Sequence, residues 1–137
     1  RGYDYATANE WALKLKELTY TVAAPYSSAD FQHGPVAMVS QGFPVLAAMP
    51  QGAVYKDLYK LLSRLKREHE VELLVLSNVT EALDLADRAV ALPMDMPEWL
   101  SPLVSIVPGQ LFCYHLTKAK GLSTESPRML SKVTKTE

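Results

Sequence analysis

The sequence predicts an α/β fold of three layers, α/β/α, with a parallel sheet in the middle. Two observations carry this. Short apolar runs at residues 44–49 (PVLAAM), 72–77 (ELLVLS) and 88–92 (RAVAL) alternate with stretches of helical periodicity. The runs are near-continuous rather than alternating, the pattern of parallel strands covered on both faces.

Each element follows in order. A helix is expected over residues 4–21, where Asp4 and Thr7 are candidate caps and Ala8, Trp11, Ala12, Leu15 and Leu18 recur on one face. Residues 21–25 form a short extended piece broken by Pro25. Residues 31–39 read as a loop and short helix about the His33-Gly34-Pro35 turn. The strand at 44–49 is bounded by Gly42-Phe43-Pro44 and Pro50-Gln51-Gly52. Residues 55–69 form an amphipathic helix with Leu58, Leu61, Leu62 and Leu65 set against a basic outer face. A short helix at 81–86 separates the second and third strands, residues 100–120 make a long apolar helix, and residues 121–137 form a polar tail. Folds of this kind open on a strand, whereas this chain opens on a helix, and three strands make a thin sheet. The unit is therefore expected to be incomplete at the N-terminus, with preceding strands outside the chain.

Bulk properties narrow the function classes. With 137 residues and 48% hydrophobic content, the chain suits one globular domain. A net charge of -1 gives no electrostatic case for nucleic acid or an anionic membrane surface. The longest near-apolar stretch, 100–113, holds two prolines and is too short to span a bilayer. No basic and then apolar segment opens the chain. Cys113 is the single cysteine, so an intrachain disulfide is excluded and a cytoplasmic setting is expected. No Cys/His cluster has metal spacing, and no metal or cofactor is expected.

Few residues could carry chemistry. Glu10, Lys14 and Glu17 stand at i, i+4 and i+7, on one face of the first helix. On spacing alone they read as a solvated ladder worth roughly 0.2–0.5 kcal/mol per pair. The functional reading is a carboxylate base beside an ammonium that keeps it charged, able to move a proton between adjacent sugar carbons. His33 lies in a polar loop, and its ordinary pKa suits acid/base work near neutrality. His115 sits in the apolar run Leu111-Phe112-Cys113-Tyr114 and reads as a satisfied core histidine. His69 reads as a surface residue that favours a helix C-terminus. Cys113 has no neighbouring base in sequence and reads as buried structure. Lys132 lies in the tail, where lysines are ordinarily solvated. Desolvated in a closed site, it could form a Schiff base with a ketone. No Gly-rich or Ser/Thr-rich loop offers a phosphate cradle.

Three separated blocks carry a resemblance. Residues 11–20 (WALKLKELTY) resemble the "ALKLKEISY" block of the isomerase domain of glucosamine-6-phosphate synthase. Ala24-Pro25-Tyr26 through Phe31-Gln32-His33-Gly34-Pro35 resembles that family's "AEAYAAGELKHGP", and residues 126–134 (SPRMLSKVT) resemble its "QPRNLAKSVT". The order is kept across the whole chain. The sequence is thus identified as similar to the C-terminal repeat of the SIS (sugar isomerase) family, of flavodoxin-like architecture. The resemblance implies that residues 1–121 are the C-terminal part of a SIS domain and that the tail 122–137 closes over the active site.

The resemblance also implies roles. Glu17 matches the base for proton transfer between sugar C1 and C2, Lys14 pairs with it, and Glu10 lies in the same site. His33 matches a histidine that reaches the neighbouring subunit's site and helps open the sugar ring. Lys132 matches the lysine that forms the Schiff base with fructose 6-phosphate. The phosphate cradle belongs to a preceding repeat. The family's "KEIS" is here Lys16-Glu17-Leu18-Thr19, which leaves the carboxylate in place. The ending Val133-Thr134-Lys135-Thr136-Glu137 departs from "SVTVE" toward stand-alone SIS proteins such as glucosamine-6-phosphate deaminases and deglycases. The expected activity is aldose–ketose isomerisation of fructose 6-phosphate or glucosamine 6-phosphate, coupled to amination or deamination at C2. The expected partners are the N-terminal SIS portion of the same protein and a second subunit in a homodimer. The competing reading is a non-catalytic sugar-phosphate-binding regulatory module, which would need neither Glu17 nor Lys132.

Overall fold

The apolar run at Glu72–Ser77 becomes the central strand because its side chains find partners on both sides. The computed structural model describes residues 2–129. Two helices, α1 (Tyr5–Thr19) and a short α2 (Ser28–Gln32), precede a 3-10 turn at Pro35–Met38. Then come β1 (Pro44–Ala48), α3 (Tyr55–His69), β2 (Glu72–Ser77), α4 (Thr80–Leu85) and β3 (Arg88–Ala91). A second 3-10 turn, Glu98–Leu100, leads into α5 (Ser101–Ala119). The sheet is parallel throughout, in the order β1-β2-β3, with Val45 beside Leu73, Ala47 beside Val75 and Leu76 beside Val90.

Alternation along the strands divides the core in two. Ala47, Leu73 and Val75 pack with Leu61, Leu62 and Leu65 of α3, so the stripe read from the sequence is the buried one. Leu46, Leu74 and Leu76 turn the other way, toward Trp11 and Leu15 of α1 and Cys113 of α5. Each fully buried leucine contributes roughly 1.5–3 kcal/mol relative to exposure. The expected three layers are present, with α1 and α5 on one face and α3 on the other. β3 departs from the expectation of strands covered on both faces. All four of its residues are exposed, and burial resumes at Leu92 just after it.

The α1–α5 interface explains another difference. The inward face of α5 is made of small residues, Ser101, Ser105, Gly109, Cys113 and Thr117, one per turn. They admit Thr7, Trp11, Ala12, Leu15 and Thr19 of α1. The Trp11 indole lies against Gly109, where a Cβ would stand 3.5 Å from the ring, and meets Phe112 edge-on at 5.7 Å. The large apolar residues Leu103, Val107 and Leu111 consequently point outward. His115 is exposed with them, against the expectation of a core histidine, and its ring meets that of Tyr114 at 5.2 Å. Cys113 is fully buried, as expected, and burial pushes its thiol up to about 11.

The caps are also rearranged. Asp4 occupies the N-cap of α1 but its carboxylate makes no bond to the helix backbone. It accepts from the hydroxyls of Thr7, at 3.3 Å, and Ser101, which ties the start of α1 to the start of α5. Thr7 is buried inside the helix rather than capping it.

Candidate active site

α1 presents its charged face away from its buried side, which is made by Thr7, Trp11, Ala12, Leu15 and Thr19. The 3.6-residue period carries Glu10, Lys14 and Glu17 to one stripe. Nζ of Lys14 donates to Oε2 of Glu17 at 2.8 Å and lies 3.7 Å from Oε1 of Glu10. The three side chains are each about one-third exposed (34%, 32% and 30%), so they are open to a ligand yet screened by water. The hydrogen bond that Lys14 donates to Glu17 raises the Lys14 pKa above its ordinary value, helped by the charges of Glu17 and Glu10 and opposed by partial burial. The arrangement is a carboxylate with an ammonium at hydrogen-bond distance and a second carboxylate beyond it.

His33 stands elsewhere. It ends α2, whose first turn is capped by Ser27: the Ser27 Oγ accepts from the Asp30 N–H at 3.2 Å and donates to the Asp30 carboxylate at 2.6 Å. The His33 N–H closes the turn on Asp30 O at 3.1 Å. Gly34, at φ 142°, then turns the chain into Pro35, a conformation that L residues rarely adopt. Phe31 and Val36 pack into the α3 layer, so His33 belongs to the face of the sheet opposite α1, with its side chain exposed. The chain does not bring His33 to Glu17. Lys132 lies outside the described residues.

The carboxyl ends of β1 and β2 form an open cleft of about 450 Å³, lined by Gln51, Tyr55, Lys56, Asn78, Thr80 and Glu81 among others. Asn78 bridges its two sides. Asn78 accepts from the Gln51 N–H at 2.7 Å and donates to Met94 O at 3.3 Å. The turn that leads into α3, two residues before the helix begins, holds the chain's own carboxylate. Oε1 of Glu98 accepts from the Ala53 N–H at 3.1 Å. A Cβ on Gly52 would stand 2.3 Å from Glu98 Cδ, so glycine is what lets the carboxylate approach. Nothing in the local sequence signals this contact across 45 positions. Tyr20 and Arg128 were also missed: the Arg128 N–H donates to the Tyr20 hydroxyl at 2.8 Å, and its guanidinium lies 4.8 Å from the ring centre.

The profile described as the SIS domain matches residues 1–119. The chain belongs to the SIS domain family. Among curated relatives of this SIS chain is the glutamine–fructose-6-phosphate aminotransferase [isomerizing] of Bacteroides thetaiotaomicron, 37% identical over 133 residues. The enzyme of that name from Thermococcus kodakarensis is also 37% identical, over 132 residues. Each alignment covers 96% of this chain but 22% of the relative, so the chain spans about a fifth of their length. Among solved structures, the C-terminal domain of glucosamine-fructose-6-phosphate aminotransferase from Francisella tularensis superposes with a TM-score of 0.78 at 29% identity. That match covers 88% of this chain and 34% of the other. Among the described residues of the SIS chain, no helix is long and apolar enough to cross a membrane.

Proposed function

We propose that this SIS chain contributes the proton-transfer half of a hexose 6-phosphate isomerase centre, of the glucosamine-6-phosphate synthase or deaminase type. The observation that carries the reading is the Lys14 ammonium bridging Glu17 and Glu10 on the open side of α1. It is supported by relatives whose names join fructose 6-phosphate to isomerising amino transfer.

In the ketose-to-aldose direction the Glu17 carboxylate takes a proton from C1. The C–H electron pair forms the C1=C2 double bond while the C2 oxygen, or nitrogen in the aminated sugar, gains a proton. Return of the proton to C2 and loss of the O1 proton give the aldose. Lys14 keeps a positive charge beside the base throughout, and Glu10 joins the same polar surface. His33 assists ring opening in a second subunit, a role that its distance in the fold from α1 accommodates. Lys132 engages the C2 carbonyl from the tail 122–137, which closes over the site.

The phosphate is assigned to the N-terminal SIS portion of the same protein. Among the described residues the sheet order leaves β1 and β3 each with an unpaired edge for further strands. The deciding experiment follows exchange of the C1 hydrogens of fructose 6-phosphate with deuterated water. Exchange that depends on Glu17 supports the isomerase; saturable sugar-phosphate binding without exchange would leave the regulatory module.

A further inference from the structure

α5 buries its small residues against α1 and leaves its large apolar ones bare. Leu103, Val107, Leu111 and Tyr114 recur at helical spacing on one stripe and are between 41% and 68% exposed. From Ser101 to Thr117 the helix carries no Asp, Glu, Lys or Arg, so no carboxylate, ammonium or guanidinium lies along the stripe. An open groove of about 440 Å³ runs beside it, lined by Val90 and Pro93 at β3 and by Leu103, Val107 and Pro108 of α5. Charge returns only at the two ends of the helix, with opposite sign. Asp95 and Glu98 precede α5, with Asp95 exposed. Lys118 stands in the last turn, its ammonium 5.7 Å from the Tyr114 ring centre.

We infer that this stripe is a two-fold contact with a second copy of the chain, the two α5 helices running antiparallel. The charge pattern selects that occupant. Turned end for end, α5 sets Lys118 of each copy against the acidic start of the other helix, and each positive end of a helix dipole lies beside a negative one. A parallel copy would put Lys118 beside Lys118 and gain neither. With the stripe centred on itself, Leu103 of one copy meets Tyr114 of the other, whose ring then lies over the groove as an aromatic anchor. The stripe is only about 16 Å long, so the contact belongs to the small, weak class rather than the obligate one. His33 lies on the other face of the sheet, which makes this contact separate from one that would carry His33 to Glu17.

Sedimentation equilibrium of the 137-residue chain is the test. The chain should self-associate at roughly micromolar concentration, and Leu103→Lys or Tyr114→Glu alone should raise the dissociation constant about tenfold or more. Both side chains face solvent in the single copy, so the thermal midpoints of the two variants should stay close to that of the unaltered chain at low concentration. An equimolar mixture of the two variants should recover association, because the introduced ammonium and carboxylate then face each other across the contact. A chain that stays monomeric up to about 1 mM overturns the inference, as does association that Leu103→Lys leaves unaltered. Association lost in both variants and not recovered on mixing overturns the antiparallel pairing. If an N-terminal SIS portion added as a fragment displaces the second copy and protects α5 from hydrogen exchange, the stripe belongs to that portion and the second copy is overturned.

Discussion

Lys14 stands between two carboxylates of α1, 2.8 Å from Glu17 and 3.7 Å from Glu10, on the surface of the helix rather than in the core. Chemistry and stability should therefore separate cleanly. Glu17→Gln keeps size and hydrogen bonding but removes the base, and isomerisation should fall by about 10²–10⁴. Its unfolding midpoint should hardly move, since a partly exposed pair of this kind is worth about 0.3–0.5 kcal/mol. Turnover within a few-fold of the unaltered protein would take Glu17 out of the mechanism. Lys14 adds a sign. Its pKa is raised on folding, so its small contribution is complete below the ordinary lysine value of 10.5 and is lost as pH rises through the raised one.

Subunit mixing tests the placement of His33. It lies across the sheet from α1, so a site needing both His33 and Glu17 has to draw them from two chains, most simply through an isologous contact. Mixed dimers of His33→Ala and Glu17→Gln subunits contain one site with both groups intact. Part of the activity should return on mixing, although each variant alone is impaired. Verified heterodimers with no recovery would place His33 in its own subunit's chemistry or outside it.

Acid stability should report on Asp87. Its carboxylate accepts from the Leu73 N–H at 2.8 Å and pairs with Lys66. The Leu73 bond, and then Lys66, hold its pKa below the usual aspartate value of 3.8. A depressed carboxylate stabilises fully above its unfolded value and loses that contribution as pH falls through the folded one. Denaturant midpoints of the unaltered chain should therefore decline below about pH 4, and Asp87→Asn should show a shallower decline there. Parallel curves for the two would remove this pair from the acid response.

How much of this was legible in the sequence depended on what each face touches. β2 was readable because both of its faces are covered, and α3 because one face meets the sheet while the other meets water. The Glu10-Lys14-Glu17 stripe follows from helical period alone. α5 was legible as a helix but not in its orientation. It is apolar nearly all round, and its buried side is the series Ser101, Ser105, Gly109, Cys113 and Thr117, chosen by the close approach of α1 rather than by hydrophobicity. That is why His115 was misplaced. Glu98 at Ala53 and Arg128 at Tyr20 are contacts over 45 and 108 positions, and no local pattern encodes such pairs.

The Glu98 contact can be tested apart from the phosphate. In this chain the turn just before α3 holds the Glu98 carboxylate, which Gly52 allows to approach the Ala53 N–H. Glu98→Ala removes that hydrogen bond and should cost about 0.5–1.5 kcal/mol. Gly52→Ala should cost about as much, because its Cβ would overlap the end of the Glu98 side chain at 2.3 Å and displace it, yet cost little once Glu98 is alanine. Denaturant unfolding of the two single variants and the double would read this coupling directly. A sugar 6-phosphate carries nearly two negative charges and is ordinarily met by several N–H groups and hydroxyls at a helix start or nest. The sequence offers no Gly-rich or Ser/Thr-rich loop of that kind, so the 137-residue chain alone should bind glucosamine 6-phosphate only weakly, at about millimolar levels or worse, even with Glu17 and Lys132 intact. Adding the N-terminal SIS portion, joined or as a separate fragment, should restore tight binding. Titration calorimetry separates the cases. Micromolar affinity in the chain alone would mean that a phosphate cradle lies within these residues.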